Sequence, residues 1–388
     1  MNRIKIQNIG AISNVEFDLN KINVIMGPQS SGKSTIAKII SYCQWVEKRC
    51  LLDGEYKEDV RKQLLEFHHL DENYFDDNSY FEYESNFVKI SYKGQNLEEK
   101  IIINELKILD YKKTKNIYIP AERNFISVIP NLGKYNETND NIMNLIYDWF
   151  TAKKNFQKQN SLPILNFGIN YYYQKGADLD MFVLNNKKEI PLNTGSSGLQ
   201  SVTPLIAIIE YLTKNIYENT FVHSLSVKES DYVSELEKKY KIRQAEIVAK
   251  RNINASTSFI IEEPEQNLFP ETQKDLIYYI FNKLNSEKDH SLLITTHSPF
   301  ILYAINNCLM GAVIANKLNE EEKQEFESKN SWISPDKVNI VQIDENNGTI
   351  SSIKNPKTGT VDKHYFNGIM NEIMNEYYNM LNFFSNEK

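Results

Sequence analysis

Gly27-Pro28-Gln29-Ser30-Ser31-Gly32-Lys33-Ser34 has the spacing of a phosphate-binding loop, GxxxxGK[ST]. Glycines let a backbone wrap a phosphate. The freed amides at a helix start point at it, and the helix dipole adds positive potential. In that chemistry Lys33 reaches the β- and γ-phosphates and Ser34 ligates Mg2+, with Gly27, Gln29, Ser30, Ser31, Gly32 and Thr35 completing the cradle. The context agrees: the apolar strand "INVIM" enters the loop and "IAKIISYCQWVEKRCLL" leaves it with helical periodicity. The motif does not separate adenine from guanine nucleotides, and no NKxD-type guanine reader is evident.

Two further clusters could complete such a site. "FIIEEPE" puts two acids at the end of an apolar strand. A phosphate-loop enzyme needs one acid to hold the Mg2+ water shell and a carboxylate to orient or deprotonate the attacking water. Those roles fall to Glu262 and Glu263, although a solvated strand end before Pro264 would read the same by itself. His297, between "LLITT" and "SPF", stands where a side chain could touch the γ-phosphate, and an isolated histidine there would more often be a turn residue. A third stretch, "TGSSGLQSV" (194–202), opens the apolar helix "PLIAIIEYL". It suits a surface turn and equally a site that offers backbone amides to a phosphate.

Taken in chain order, "GPQSSGKST", "SSGLQS", "FIIEEPE" and "TTHSP" resemble the ABC-type ATPase heads of the SMC/RecF/OLD group. The resemblance implies ATP and Mg2+ as ligands and hydrolysis of ATP. It also implies that the serine-glycine signature caps a γ-phosphate held by a second subunit, which carries over to Ser197, Gly198 and Gln200; Leu199 stands where transporters usually have glycine. "EEPEQNLFP" is similar to the acid-rich motif of OLD and RecF-like proteins, with Phe269 replacing a histidine. "YIPAERN" resembles a segment of OLD-like defence ATPases such as those of Septu-type systems, and puts Arg123 near the nucleotide. The hairpin "VQIDENNGTISS" and "KTGTVD" look like that group's C-terminal end. No Q-loop glutamine stands out, since Gln44 comes too early. There is no heptad arm of the SMC type. The stretch after His297 has no DxD pair with an upstream glutamate, so no nuclease is expected in cis.

The elements around these motifs must position them. Strands alternate with helices, which favours an α/β fold: a P-loop NTPase head of ABC type, with a mixed sheet, antiparallel additions at both ends and an inserted α+β lobe. We expect one domain over 1–388, with the lobe at about 53–115, a charged helical insertion at about 224–254, and a hairpin with an Asn-Gly turn plus a helix at 338–388. Residues 131–160 read as helical and polar, and "INYYYQKG", "LDMFVLNN" and "KEIPL" as a small antiparallel meander.

Bulk properties bound the rest. At 41% apolar and 24% charged residues, a large core can be buried. A net charge of −7 excludes a chain that coats nucleic acid by charge alone. Three cysteines without a CxxC pair argue against a disulfide framework or zinc ribbon. No signal peptide and no apolar window of 18 residues is seen, so a cytoplasmic protein with no membrane partner is expected. The partners implied are a second copy (a homodimer or higher homo-oligomer through shared ATP sites) and a separately encoded effector, with a nuclease as one candidate. The alternative is a RecF/SMC-like repair ATPase that clamps DNA through "KKNFQK", "YKKTK" or "EKKYKIRQAEIVAKR". A transporter subunit fits poorly.

Overall fold

The computed structural model describes residues 2–129, 132, 135, 140–218, 225–362 and 364–385. Its strands are β1 (Asn2–Ile9), β2 (Ile12–Leu19), β3 (Ile22–Met26), β4 (Phe75–Glu84), β5 (Val88–Lys93), β6 (Glu98–Ile103), β7 (Thr114–Ile119), β8 (Leu162–Pro163), β9 (Asn170–Gln174), β10 (Leu179–Val183), β11 (Glu189–Pro191), β12 (Ser256–Glu262), β13 (Ser291–Thr296), β14 (Val338–Asp344) and β15 (Thr349–Ser352). Its helices are α1 (Lys33–Asp53), α2 (Val60–His68), α3 (Phe125–Val128), α4 (Asn141–Lys153), α5 (Ser197–Glu210), α6 (Ile216–Glu218), α7 (Val227–Tyr240), α8 (Gln244–Asn252), α9 (Pro270–Leu284), α10 (Pro299–Ile314), α11 (Glu320–Gln324) and α12 (Tyr365–Ser385).

One sheet runs β6-β5-β4-β1-β2-β15-β14-β3-β13-β12-β7. From β14 to β7 it is parallel, with Val24 of β3 aligned to Ile294 on one side and Ile340 on the other. The central strands are the continuously apolar ones. "INVIM" is buried at every residue, as a strand covered on both faces must be. Alternate residues feed two cores. Val24, Phe259, Ile261 and Ile294 face α4, α5, α9 and α10, while Ile25, Ile260 and Leu293 face α1 and the β1–β4 side. A second, four-stranded antiparallel sheet, β11-β10-β9-β8, is the expected meander. It is held to α4 where Trp149 packs on Tyr171, 5.7 Å between ring centres.

Several expectations take a particular form. The inserted segment 53–115 is built onto the main sheet: β4 pairs with β1, aligning Tyr83 with Ile4, and β5 and β6 extend that edge. The charged insertion forms α7 and α8, anchored by buried Val233, Leu236 and Ile247; residue 224 lies outside the described residues. The helix expected over 131–160 is α4, which buries apolar Leu145, Ile146, Trp149 and Ala152 together with polar Asn141, Asp148 and Lys153. Residues 131, 133, 134 and 136–139 of that stretch lie outside the described ones, as do 363 and 386–388. The late hairpin is no terminal addition, because β14 runs parallel to β3 in the middle of the sheet. Its turn spans four residues, and Gly348 (φ +60°) alone takes the left-handed conformation.

Among the described residues, one helix, Pro299–Lys317, is long and apolar enough to cross a membrane by length and composition alone. Its inner face of Ile301, Leu302, Ile305, Cys308 and Leu309 is buried in the core. The fit is tight: a Cβ on Gly311 would come 2.0 Å from the Trp332 indole nitrogen. Gly311→Ala is therefore expected to cost about 1–3 kcal/mol of stability, read as a lower urea midpoint at unchanged slope.

Candidate functional site

The site is assembled by strand order. β3, β13 and β12 are neighbours and parallel, so Lys33 after the first, His297 after the second, and Glu262 and Glu263 at the end of the third meet at one edge. Ligands in open α/β sheets bind at such carboxyl ends. The loop between β3 and α1 is tied down by the Gly27 amide donating to the Thr296 carbonyl and by the Ser31 hydroxyl donating to Pro28 at 2.9 Å. Gly32 begins α1 with φ +97°, and a Cβ there would come 2.8 Å from Ile12. The first turn of α1 has no acidic residue and no side-chain cap, so its amides stay available to an anion.

Lys33 is buried, its ammonium donating to the carbonyls of Gly27 (2.9 Å) and Pro28 (2.5 Å). Burial lowers its pKa, opposed by Glu263, Glu265 and Glu262. The loop opens on a cleft of about 780 Å³ lined by Gln29 to Thr35 and Glu263, and closed on the other side by Gly10, Ala11, Asp71, Asn73 and Tyr74. Those last five were not read from the sequence. They belong to the β1–β2 turn and the segment after α2, which the Gly10 amide joins by donating to the Tyr74 carbonyl at 2.9 Å. A glycine between two alternating strands was the one signal available for them.

The acids are organised by residues that sequence reasoning passed over. Glu265 is buried, and one of its oxygens accepts from the Thr296 hydroxyl (2.7 Å) and the His297 amide (2.8 Å). It fastens the turn after β12 to the one after β13. Arg123, expected near the nucleotide, does not line the cleft. It lies fully buried beneath the acid turn and donates to the carbonyls of Glu262 (2.9 Å), Glu263 (3.1 Å) and Pro264 (3.1 Å). Burial lowers its pKa to about 10. Glu263 is held at φ +42°, a conformation that costs a non-glycine residue about 1–3 kcal/mol and persists only when its surroundings enforce it.

Charge is distributed unevenly over the three carboxylates. Burial raises the pKa of Glu262, while the Tyr118 and Ser34 hydroxyls beside it oppose that shift. Glu263 is lowered, first by His297, whose Nδ1 stands 3.3 Å away, then by Lys33 and Arg123. Burial raises Glu265. His297 is raised, first by Glu263. Glu262 also keeps one buried oxygen without a hydrogen-bond partner next to Ser34, which fits a hard cation held by one carboxylate, one hydroxyl and non-protein oxygens. Among the described residues no cluster of three His, Cys, Asp or Glu could hold a metal unaided.

The signature stretch is elsewhere. Ser196, not Ser197, caps α5 by accepting from the Leu199 amide, and none of Ser197, Gly198 or Gln200 lines the cleft. Ser196 and Ser197 are exposed. Gln200 turns its amide back to the Asn193 carbonyl, and Gly198 packs where a Cβ would come 2.9 Å from the Asn267 carbonyl. Pro204 lacks the N–H that would bond Gln200 in a regular helix, and the Ser127 hydroxyl donates to that carbonyl instead, at 2.7 Å.

The phosphate loop at the carboxyl end of a parallel sheet defines an AAA-type P-loop ATPase domain. Residues 22–302 match the family described as "AAA domain, putative AbiEii toxin, Type IV TA system", and the chain belongs to that family. No curated protein matches it in sequence. Among solved structures it is similar to the SMC head domain from Thermotoga maritima (11% identity over 90% of this chain and 97% of that one, TM-score 0.41). It is also similar to an Smc head with an extended coiled coil bound to the C-terminal domain of ScpA, derived from Pyrococcus furiosus (10%, 97% and 100%, 0.42).

Two outcomes are expected. Arg123→Met takes the guanidinium from three carbonyls, of which that of Glu263 keeps the Gln266 amide as a donor, and should lower stability by about 1–3 kcal/mol, measured by urea unfolding. The Glu263–His297 pair stabilises the fold between the normal values of 4.5 and 6.5. Its contribution fades as pH rises through the raised pKa of His297 or falls through the lowered pKa of Glu263. In Glu263→Gln the His297 pKa should fall, read by NMR titration of the imidazole.

Proposed function

We propose that this chain is a cytoplasmic ATPase that closes head to tail on a second copy when ATP is bound and opens on hydrolysis. The observation that carries the reading is a separation. The phosphate loop and its acids form one half-site, while the exposed, serine-capped N-terminus of α5 lies outside it. A helix start with free amides attracts a phosphate, and here it is available to the nucleotide of a partner. Ser197, Gly198 and Gln200 are the residues assigned to that contact.

Within one half-site, the amides of Gly32 to Thr35 and the Lys33 ammonium hold the β- and γ-phosphates. Gln29, Ser30 and Ser31 shape the loop, which begins at Gly27. Ser34 and Glu262 are the residues that would hold Mg2+, which supplies Lewis-acid charge to the phosphates. Glu263 is the base. Its lowered pKa keeps it ionised at neutral pH, ready to accept a proton from the attacking water as the water oxygen bonds to the γ-phosphorus and the bond to the ADP oxygen breaks. His297 keeps Glu263 oriented and reports on the γ-phosphate. The Arg123 guanidinium and the Ser127–Gln200 bond join the acid turn to α5, a route by which hydrolysis can loosen the capping helix.

We read the ATPase cycle as the switch of an anti-phage system that holds or releases a separately encoded effector, with a nuclease as a candidate. The family description, which joins an AAA domain to a toxin of a Type IV toxin–antitoxin system, supports this. DNA clamping is the weaker reading, because part of each candidate basic stretch is spent on the fold. Lys153 is buried between Asp178 and Asp180, Lys158 pairs with Glu189, Lys115 with Asp148 and Lys239 with Glu105, and Arg251 is buried. Glu263→Gln is expected to bind ATP-Mg2+ normally, to lose turnover by 10²-fold or more, and to gain mass in solution only with ATP. Turnover at the native rate, or a mass indifferent to ATP, would overturn the proposal.

A further inference from the structure

Among the described residues, the longest row of exposed apolar side chains is on none of these elements. Along α12, Met370 (61%), Ile373 (58%), Tyr377 (55%), Tyr378 (54%) and Met380 (59%) are all more than half exposed. Monomers rarely leave such a row in water. Its spacing is informative. Phe366, Met370, Ile373, Tyr377 and Met380 are separated by 4, 3, 4 and 3 residues, the alternation that puts side chains on the seam between two helices.

We propose that α12 pairs with α12 of a second copy of this chain, through an interface independent of nucleotide. Charge favours a copy over other occupants. The only side chains of α12 charged at neutral pH are Glu372 and Glu376, both off the seam, and Asn371, Asn375 and Asn379 lie away from it. A copy therefore meets the seam without burying a charge. A lipid surface would call for Lys and Arg beside the apolar face, and α12 has neither. The surface continues onto the body: the His364 ring bridges Phe366 (5.8 Å) and Tyr303 (5.9 Å), and Tyr303 and Phe300 of α10 are 47% and 43% exposed. Seven such side chains at on the order of 100 Å² each would bury roughly 1,400 Å² across a two-fold pair, within the range of stable interfaces. A chain carrying this contact and a separate nucleotide-gated one can build assemblies larger than a dimer.

The test is sedimentation of nucleotide-free protein at micromolar concentration, so that its outcome does not depend on the ATP-gated contact. The native chain is expected at twice 45.3 kDa. Ile373→Glu combined with Tyr377→Glu is expected at the single-chain mass, with ATP binding unchanged. Tyr377 lies midway along the exposed helix, so Tyr377→Cys should form an intermolecular disulfide under mild oxidation in either orientation of the pair. The native cysteines Cys43, Cys50 and Cys308 are buried and would not compete. A native chain of single mass, a double variant that stays dimeric, or no cross-link at Tyr377→Cys would each overturn the proposal.

Discussion

Three carboxylates within four residues, two buried and one half-buried, can be packed together only if cations meet them. Glu262, Glu263 and Glu265 are met by Lys33 from the phosphate loop, Arg123 from below and His297 from the neighbouring strand end. Remove these and desolvation would protonate the acids or expel them. The compensation is graded. Glu263 is left as the most ionised of the three, Glu262 faces Ser34, and Glu265 is spent on the Thr296 hydroxyl and the His297 amide. One turn thus leaves one acid facing the cleft and spends another on structure.

The same balance explains why the backbone of the turn can be strained. A left-handed Glu263 is unfavourable alone. The Arg123 guanidinium gathers three successive carbonyls, and the Glu263 amide donates to Thr295 at 2.9 Å. The turn is therefore specified from both sides, and the carboxylate is aimed at the cleft. From Arg123 the chain runs directly into α3, whose Ser127 takes the carbonyl that Pro204 leaves free on α5. A proline that would weaken an ordinary helix creates the acceptor that ties the acid turn to the signature helix.

Much of this was legible in the sequence because it is local. The phosphate loop, its strand and its helix are contiguous, and so are the strand ends bearing Glu262 and His297. The meander and the late hairpin followed from alternation. Other features were not legible because they depend on partners distant in the chain. Glu265 looked like one more acid in an acidic run, and its role appears only when Thr296 is 31 positions away in sequence and hydrogen-bonded to it. Arg123 was expected near the nucleotide, and only the fold shows that its side chain lies under the acid turn and holds three of its carbonyls. Lys153 of "KKNFQK" looked like part of a basic face, and it is instead buried against Asp178 and Asp180.

By itself the sequence offered the candidate groups for chemistry and the elements that carry them, since spacing and periodicity are properties of neighbouring residues. The tertiary structure decided which groups share a site. Parallel pairing of β3, β13 and β12 sets three loops side by side, and the β1–β2 turn brings Gly10 against Tyr74 to wall the cleft. It decided too that α5 starts outside that cleft and that α12 leaves its apolar row uncovered. A helix's own periodicity states that one face is apolar; only the packing of every other element shows whether anything in the same chain covers it.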